Sequence, residues 1–291
     1  MLTRQEFKEK VQAGTVLLDG ATGSNLQKAG MPRGCCTEEW ILSNPHVLVS
    51  LQRAYAAAGS RILYAPTFQA QPIALERVNQ QKQAETINAH LVALTRSAAP
   101  DALVAGNLTT LAAYMDSYDS ENFDALVENY RVQIAGLLEG GADLLAAETL
   151  MYPQEAEAIL TSAELEGAQT VMYTFTMQPD GSLFSGMDAG PVLKELEDSG
   201  ASAVGFNCVA ADSMTPGLVS KLRRYVKGPL ICKPNAGIPT IDDNGIAQYS
   251  LSAEAFAPIM KDCRDCGATI LGGCCGTDPS YIAAVRDLLQ L

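Results

Sequence analysis

Short apolar runs alternate with longer amphipathic segments along the 291 residues of the chain. The short runs are rich in β-branched and other apolar residues, which is typical of buried parallel strands. Eight of them are predicted to be strands: Val16–Asp19, Ile62–Thr67, Leu103–Asn107, Leu144–Thr149, Val171–Thr176, Ala203–Asn207, Leu230–Pro234 and Thr269–Gly272. The clearest helical patterns lie between them: Asn44–Ala58, Asn122–Glu139, Gln154–Leu165 and Ala253–Cys263. Several of these segments end in glycine, as helices often do.

Eight strands that alternate with helices predict an α/β fold of the (β/α)8 barrel type. A doubly wound open sheet is the alternative. The run Gly20-Ala21-Thr22-Gly23 does not support it, because this run lacks the glycine spacing of a dinucleotide-binding loop. Neither a low-complexity linker nor a change in composition marks a boundary, so we expect one domain over residues 1–291.

The barrel prediction places polar and reactive residues together. Active sites of such barrels lie at the carboxyl ends of the strands. Seven of the eight predicted strands end in, or are followed by, residues of this kind: Asp19, Thr67, Asn107, Glu148, Thr149, Asn207, Cys208, Asn235, Cys274 and Cys275. We therefore expect a site on this rim.

Charge and composition exclude some classes of function. The net charge is −13 and the calculated pI is about 4.6, so the surface repels phosphate backbones and nucleic-acid binding is not expected. No apolar run reaches the length of a membrane span, and the first residues lack the apolar stretch of a signal peptide. We expect a cytoplasmic protein, in which the 8 cysteines are thiols or metal ligands rather than disulfides.

The adjacent cysteines Cys274 and Cys275 lie between glycines at the end of the eighth predicted strand. Neighbouring cysteines rarely form a disulfide, because their Cα atoms are too close together. In a barrel they approach Cys208, which follows strand six. Three thiolates favour Zn²⁺ over Mg²⁺ or Ca²⁺, which prefer oxygen ligands. With no obvious fourth ligand, the set is typical of a zinc site with an open position, although Cys208 alone could also be an ordinary core residue.

The other cysteines have simpler interpretations. Cys263 and Cys266 form a C-x-x-C pair, but they lie in a predicted helix before strand eight, at the opposite end of the barrel. Cys232 is predicted to be a core residue. The pair Cys35-Cys36 follows the first strand on the rim side, where it could either contribute to the site or remain a free surface pair.

Zinc held by three thiolates is a poor Lewis acid, but it binds an incoming thiol and deprotonates it. Because a free thiol has a pKa of about 8.5, such binding makes a nucleophile that is scarce at neutral pH. The predicted chemistry is therefore alkylation of a zinc-bound substrate thiolate, with no separate protein nucleophile. Glu148 could accept hydrogen bonds from a substrate ammonium group, with Asp19 assisting, and backbone N–H groups could hold a carboxylate. Alternatively, Glu148 is a satisfied buried carboxylate and Asp19-Gly20 is only a turn.

Five motifs carry a resemblance to a known family: Leu18–Ser24, Ala147–Thr149, Gly205–Cys208, Lys233–Gly237 and Gly272–Pro279. Through them the chain resembles, nearly end to end, the zinc-dependent homocysteine S-methyltransferases. The family includes the homocysteine-binding module of cobalamin-dependent methionine synthase, to which the Pro-Asn-Ala-Gly and Cys-Cys-Gly-Thr runs are most similar. The closing motif together with the upstream Asn-Cys is the most specific part of the match.

The resemblance implies that homocysteine binds and is methylated to methionine, a step of methionine biosynthesis. The zinc ligands it implies are Cys208, Cys274 and Cys275, with Asn235 as a possible fourth ligand until substrate arrives. The substrate contacts expected on the rim are Asp19, Gly20, Ala21, Thr67, Glu148 and Asn207.

One departure from the family concerns the second strand. Relatives commonly have Thr-Asn-Thr-Phe-Gly there, whereas this chain has Ala65-Pro66-Thr67-Phe68-Gln69, so the thiol could be a relative of homocysteine. We expect no folate-binding or corrinoid-binding domain after the barrel. The expected methyl donor is therefore a separate methylcorrinoid protein or methylcobalamin, and the alternative is a small donor of the S-methylmethionine or betaine type. A thiol- or zinc-binding module without activity of its own is the non-enzymatic alternative, and a homodimer is possible.

Overall fold

Eight parallel strands form a closed barrel in the computed structural model, which describes residues 1–242 and 247–291. The barrel strands are β1 Val16–Leu17, β2 Ile62–Tyr64, β3 Leu103–Thr109, β4 Leu144–Leu150, β5 Val171–Phe175, β6 Ala203–Ala210, β7 Leu230–Asn235 and β10 Ile270–Leu271. Each pairs in parallel with its neighbour in the order β1-β10-β7-β6-β5-β4-β3-β2. A parallel bridge between Leu18 and Ile62 closes the ring. The predicted (β/α)8 barrel is confirmed.

Helices surround the barrel and connect its strands. Their bounds are α1 Arg4–Gln12, α2 Gly23–Lys28, α3 Thr37–Ser43, α4 Pro45–Ala58, α5 Pro72–Leu75, α6 Ala84–Ala98, α7 Phe123–Glu139, α8 Pro153–Leu165, α9 Ala189–Asp198, α10 Thr215–Arg223, α11 Ala253–Asp265 and α12 Pro279–Leu289. Short 3-10 turns lie, within the described residues, at Glu76–Val78, Gln81–Gln83 and Ser120–Asn122. The four helices predicted from periodicity are present, with ends shifted by at most two residues.

The strand ends differ most from the sequence pattern. β1 and β10 contain only two residues each, because the chain leaves the ladder early to make the turns that carry Asp19 and the cysteine pair. β6 instead continues to Ala210, with a register shift against β7 between Asn207 and Ala210. These irregular ends all lie on the predicted rim.

In the part of the chain that the structure describes, one pair of strands lies outside the barrel. After β7 the chain forms an antiparallel pair, β8 Pro239–Ile241 and β9 Ala247–Tyr249. Both strands are largely exposed, so they give no buried apolar run from which they could be predicted.

Helix α1 closes the amino-terminal end of the barrel. A capping box between Thr3 and Glu6 fixes its start. Its buried residues Phe7 and Val11 join the cluster of apolar side chains inside the barrel. A second and larger cluster packs the outer faces of the strands against the helices. Because the barrel interior is filled at this end, a ligand has access to it only from the carboxyl ends of the strands. In the described residues, no helix combines the length and the apolar character needed to cross a membrane.

Candidate metal and substrate site

The turn after β10 holds Cys274 and Cys275 against two neighbouring strands. The N–H of Gly273 donates to the carbonyl of Asp19 (3.0 Å), and the N–H of Cys274 donates to the carbonyl of Pro234 (2.7 Å). Gly273 must be glycine, because a Cβ atom there would lie 2.4 Å from the hydroxyl oxygen of Thr277. That hydroxyl donates to the carbonyl of Cys274 (2.8 Å) and closes the turn. The motif thus fixes both thiols at the junction of β1, β7 and β10.

Cys208 reaches the same place through an unusual backbone conformation. Its φ angle is +56°, in the left-handed region that residues other than glycine rarely adopt. It lies within the register shift of β6. A similar shift occurs in β4, where Thr149 has a φ angle of +59°. Non-glycine residues in this region cost about 1–3 kcal/mol each and concentrate at functional sites.

Asn207 connects these two irregular strand ends. Its Oδ1 accepts the N–H of Thr149 (2.8 Å), and its Nδ2 donates to the Thr149 hydroxyl (2.7 Å). The same amide lies 3.8 Å from the sulfur of Cys274. The Asn207 side chain is fully buried, so it ties β4 to β6 directly behind Cys208.

The three sulfurs predicted to bind zinc lie together. Cys208 Sγ is 3.0 Å from Cys274 Sγ and 3.9 Å from Cys275 Sγ, and all three lie within 4.8 Å of one another. Thiolates that bind one tetrahedral zinc ion at about 2.3 Å are about 3.8 Å apart. The donor set therefore fits a single soft metal ion, and no other group of this kind is found in the described residues.

Electrostatics in the cluster favour one thiolate rather than three. Hydrogen bonds donated by Cys208 and Cys274 lower the pKa of Cys275. The pKa of Cys208 is raised well above its usual value, mainly because its thiol donates to Cys274 and Cys275 and secondly because it is buried. Further ionisation would place like charges side by side in a buried site. A bound cation removes this obstacle, which is a second reason why the cluster fits a metal.

A cavity of about 260 Å³ opens beside the sulfurs at the carboxyl ends of the strands. All three cysteines line it, together with the loop after β1, which includes Gly20 and Ala21. Ala65 and Pro66, where the chain departs from its relatives, lie on the same wall. A larger cavity of about 920 Å³ lies at the amino-terminal end of the barrel beside α1, but it contains no cysteine. Of these two cavities, the smaller one has cysteine side chains in its wall and is large enough for a small substrate.

Charged side chains form the floor of this cavity. Lys233 Nζ lies 3.2 Å from Glu148 Oε2 and 5.0 Å from the centre of the Tyr64 ring. Glu148 Oε1 accepts a hydrogen bond from Asn107 Nδ2 (2.8 Å), and Asp19 Oδ2 accepts the N–H of Tyr64 (2.8 Å). The side chains of Lys233 and Glu148 are only 4% and 10% exposed, so this is a buried ion pair.

Burial and charge oppose each other on this floor. Burial raises the pKa of Asp19 to about 7, and it also raises the pKa of Glu148 although the nearby Lys233 lowers it. For Lys233, burial disfavours the charge, but Glu148, Cys274 and Asp19 outweigh it and raise the pKa well above its usual value. Lys233 is therefore a persistent cation among acidic groups.

Three buried oxygen atoms at the site have no hydrogen-bond partner within the part of the chain that the structure describes: Asp19 Oδ1, Asn107 Oδ1 and Asn235 Oδ1. Such atoms are costly unless a ligand or solvent donates to them. Asp19 and Asn107 line the cavity, so their free oxygens are available to a donor group such as an ammonium. Asn235 Nδ2 donates to the carbonyl of Cys208 (3.1 Å), which leaves its amide oxygen free.

Not all residues predicted to bind substrate reach the cavity wall. Asp19, Gly20, Ala21 and Glu148 line it. Thr67 is fully buried and its hydroxyl donates to the carbonyl of Asn107 (2.8 Å), so it supports the wall from behind, as Asn207 does. The strand pattern could not show this, because the irregular strand ends break the alternation of inward and outward side chains.

The remaining cysteines lie apart from the three sulfurs. Cys36 is buried with its sulfur 3.5 Å from the carboxylate of Glu38, and Cys35 donates to the carbonyl of Pro32 (3.0 Å). Cys232 is a core residue, and Cys263 and Cys266 lie at the end of α11. The metal-type group in the described residues includes none of these five.

Two residues at the site were missed by the sequence analysis. Lys233 was quoted only as part of a motif, although it precedes Asn235 by two positions on β7 and so shares its inward face. Tyr249, on the exposed strand β9, lies beside Cys275; burial first, and then the charge of Cys275, raise the pKa of the tyrosine. Its ring packs on Gly276, where φ is +84° and a Cβ atom would lie 2.3 Å from the ring. No sequence signal locates Tyr249, because its contact depends on the pairing of β8 with β9.

Comparisons with known proteins agree with this geometry. The sequence profile of the family described as homocysteine S-methyltransferase matches residues 16–289. The methionine synthase of Mycobacterium leprae is 26% identical over 287 residues, which cover 92% of this chain and 24% of that protein. The chain thus spans about a quarter of the length of the curated relatives it matches. Crystal structures of the Escherichia coli homocysteine methyltransferase MmuM match in the oxidized form (TM-score 0.79, 26% identity) and in the metallated form (0.78, 25%). Each alignment covers 94% of this chain and 96% of MmuM.

Proposed function

This chain belongs to the homocysteine S-methyltransferase family, and we propose that it methylates the thiol of homocysteine to give methionine, with zinc held by Cys208, Cys274 and Cys275. The observation that carries the proposal is the convergence of three sulfurs, distant in sequence, on one wall of a cavity. The proposed methyl donor is a separate methylcorrinoid protein or methylcobalamin, because the motifs are most similar to those of cobalamin-dependent methionine synthase and two curated relatives matched in sequence are methionine synthases.

Zinc suits this donor set, because thiolate sulfur is among its preferred ligands and the three sulfurs lie within 4.8 Å of one another. When bound, the ion would lower the pKa of an incoming thiol, so that the substrate sulfur reacts as a thiolate near neutral pH. The free Oδ1 of Asn235 suits a fourth ligand in the absence of substrate. We propose this role for it, with Nδ2 anchored on the carbonyl of Cys208.

The cavity floor would orient the amino acid part of the substrate. The free oxygens of Asp19 and Asn107 are acceptors suited to the ammonium group, and Glu148 adds negative charge beside them. The backbone N–H of Gly20 is a further candidate for substrate contact, whereas that of Ala21 donates to the hydroxyl of Thr277 (3.2 Å). We propose that Thr67 and Asn207 position these groups rather than contact the substrate, since both are buried behind the wall.

In the transfer step the substrate sulfur forms a bond to the methyl carbon while the bond from that carbon to the donor breaks. The electron pair of the broken bond stays with the donor, the thiol proton has been released to solvent before the transfer, and no protein side chain is alkylated. The chain holds the substrate sulfur at the open side of the cysteine cluster. The apolar side chains that fill the amino-terminal end of the barrel exclude bulk water from below.

A small methyl donor is the second candidate. The structural match to MmuM extends over almost the whole of both chains, and that protein is described as a homocysteine methyltransferase. A sulfonium or quaternary ammonium donor would be favoured by aromatic faces near the cavity. Phe68 and Tyr64 line the cavity and offer such faces.

A donor screen tests the proposal. Purified protein is assayed for bound zinc by mass spectrometry of the metal, then incubated with homocysteine and either methylcobalamin, S-methylmethionine or betaine. We expect about one zinc per chain and methionine formation with one donor class, both lost or strongly reduced in Cys274→Ala. Full activity of Cys274→Ala would contradict the metal role. Zinc binding with no turnover from any donor would favour a binding module that presents the thiol to a partner.

A further inference from the structure

Lys233 has hydrogen-bonding capacity that the fold does not use. An ammonium group has three N–H donors. Among the described residues, the carboxylate of Glu148 is the one acceptor within hydrogen-bond distance of Lys233 Nζ. The Tyr64 ring covers another side at 5.0 Å, which leaves unused donor capacity in a side chain that lines the cavity. A buried cation with unused donors on the wall of a substrate cavity indicates a place for an anionic group.

The hydrogen-bond acceptors on the same cavity floor lack donors. Asp19 Oδ1 and Asn107 Oδ1 are buried without a donor in the described chain. The cavity thus offers free acceptors and a partly free cation side by side. A zwitterionic amino acid complements both, because its ammonium group donates to the oxygens and its carboxylate accepts from the lysine.

We propose that Lys233 anchors a carboxylate carried by the thiol substrate and so selects thiols with an acidic group. This inference rests on the proposed function, since it assigns a recognition role within the same cavity. The competing explanation is that Lys233 only balances the negative charge of Glu148 and does not contact the substrate. It predicts that loss of Lys233 acts on every thiol alike, whereas a carboxylate anchor acts only on thiols that carry one.

Three thiols separate these explanations: homocysteine, 4-mercaptobutanoate, which lacks the amine, and 3-aminopropane-1-thiol, which lacks the carboxylate. In Lys233→Met we expect kcat/KM to fall about 10- to 100-fold for the first two thiols, as loss of a charged hydrogen bond predicts. For 3-aminopropane-1-thiol we expect no fall, and even an increase, because Glu148 is released to accept from its ammonium group.

Two control variants guard against a change in folding or metal binding. Lys261→Met removes an exposed lysine that pairs with Asp265 on the surface of α11, and it should leave all three thiols unaffected. Lys233→Met combined with Glu148→Gln removes both charges of the buried pair, so no unpaired carboxylate remains. If an unpaired Glu148 caused the loss, this double variant would recover activity with 4-mercaptobutanoate. We expect that it does not.

The outcomes keep the two proposals distinct. If the wild type transfers no methyl group to any thiol, the proposed function fails. If the wild type is active and Lys233→Met loses activity equally with all three thiols, the carboxylate anchor fails while the function stands. Zinc content measured in each variant shows whether a loss of metal accounts for the result. If Lys233→Met is too unstable to assay, Lys233→Gln supplies the same comparison with a polar side chain.

Discussion

Asn207 offers the sharpest test of how the fold positions the cysteine cluster. Asn207→Ala removes both hydrogen bonds to Thr149, at 2.8 and 2.7 Å, without touching a sulfur. Thr149 is held at a φ angle of +59°, and Cys208, next to Asn207, is held at +56°. Without the amide, both strained strand ends lose the interaction that ties them together.

The size of the effect follows from the two bonds. Leaving the N–H of Thr149 without its partner costs about 1–3 kcal/mol, and the bond to its hydroxyl adds about 1 kcal/mol. We therefore expect unfolding free energy to fall by roughly 2–4 kcal/mol, which for a chain of 291 residues corresponds to a fall in Tm on the order of 3–7 °C. Because the amide acts behind a metal ligand, we also expect zinc affinity to fall about 10- to 100-fold.

Thermal unfolding and competition with a chromophoric zinc chelator measure these two quantities. Asn88→Ala is the matched control, since Asn88 is equally buried and donates to the carbonyls of Ala70 and Ala84 away from the sulfurs. It should lower Tm similarly and leave zinc affinity unchanged. Adding Thr149→Gly to Asn207→Ala should recover part of the zinc affinity, because glycine adopts the left-handed conformation without strain. If Asn207→Ala binds zinc as tightly as Asn88→Ala does, the positioning argument is wrong.

Three other changes test the cysteine cluster and the packing around it. Cys274→Ala should reduce bound zinc well below one per chain by metal analysis, whereas Cys232→Ala, in the core, should retain it. After zinc is removed with a chelator, hydrogen peroxide should oxidise Cys208 and Cys274 to a disulfide, because their sulfurs lie 3.0 Å apart, and peptide mapping should detect the loss of two hydrogens only in the metal-free protein. Gly136→Ala should lower the unfolding free energy by about 1–3 kcal/mol without changing zinc content, since its Cβ would lie 2.4 Å from the carbonyl oxygen of Glu85; unchanged thermal unfolding would contradict this.

The barrel and the position of the cysteine cluster could be predicted from the sequence because both depend on local signals. Buried parallel strands appear as short apolar runs, and the glycines around Cys274 and Cys275 mark a tight turn at a strand end. Once eight strands are recognised, the barrel order places β7 between β6 and β10, which brings Cys208 towards that turn. Little long-range information is needed for these two results.

The finer features of the site depend on contacts that no local pattern encodes. The left-handed conformations of Thr149 and Cys208 arise from register shifts. The sequence could therefore not show that the side chain of Asn207 lies behind the cavity wall rather than on it. The pairing of Lys233 with Glu148 joins residues 85 positions apart. The alternation of side chains along β7 predicts that Lys233 points into the barrel, but it does not identify Glu148 as the partner of Lys233.

The junction of β1 and β2 has a consequence for motion in the barrel. In the described chain, one β-bridge, between Leu18 and Ile62, joins these strands, and the carboxylate of Asp19 supplies a further link by accepting the N–H of Tyr64. A seam with so few rungs is where amide hydrogen exchange should be fastest among the barrel strands. Asp19 lines the cavity and its second oxygen has no partner in the described chain, so a molecule that donates to this oxygen would stiffen the seam. Occupancy of the cavity should then be detected as slower deuterium uptake at Tyr64, which lines the same cavity as the three sulfurs.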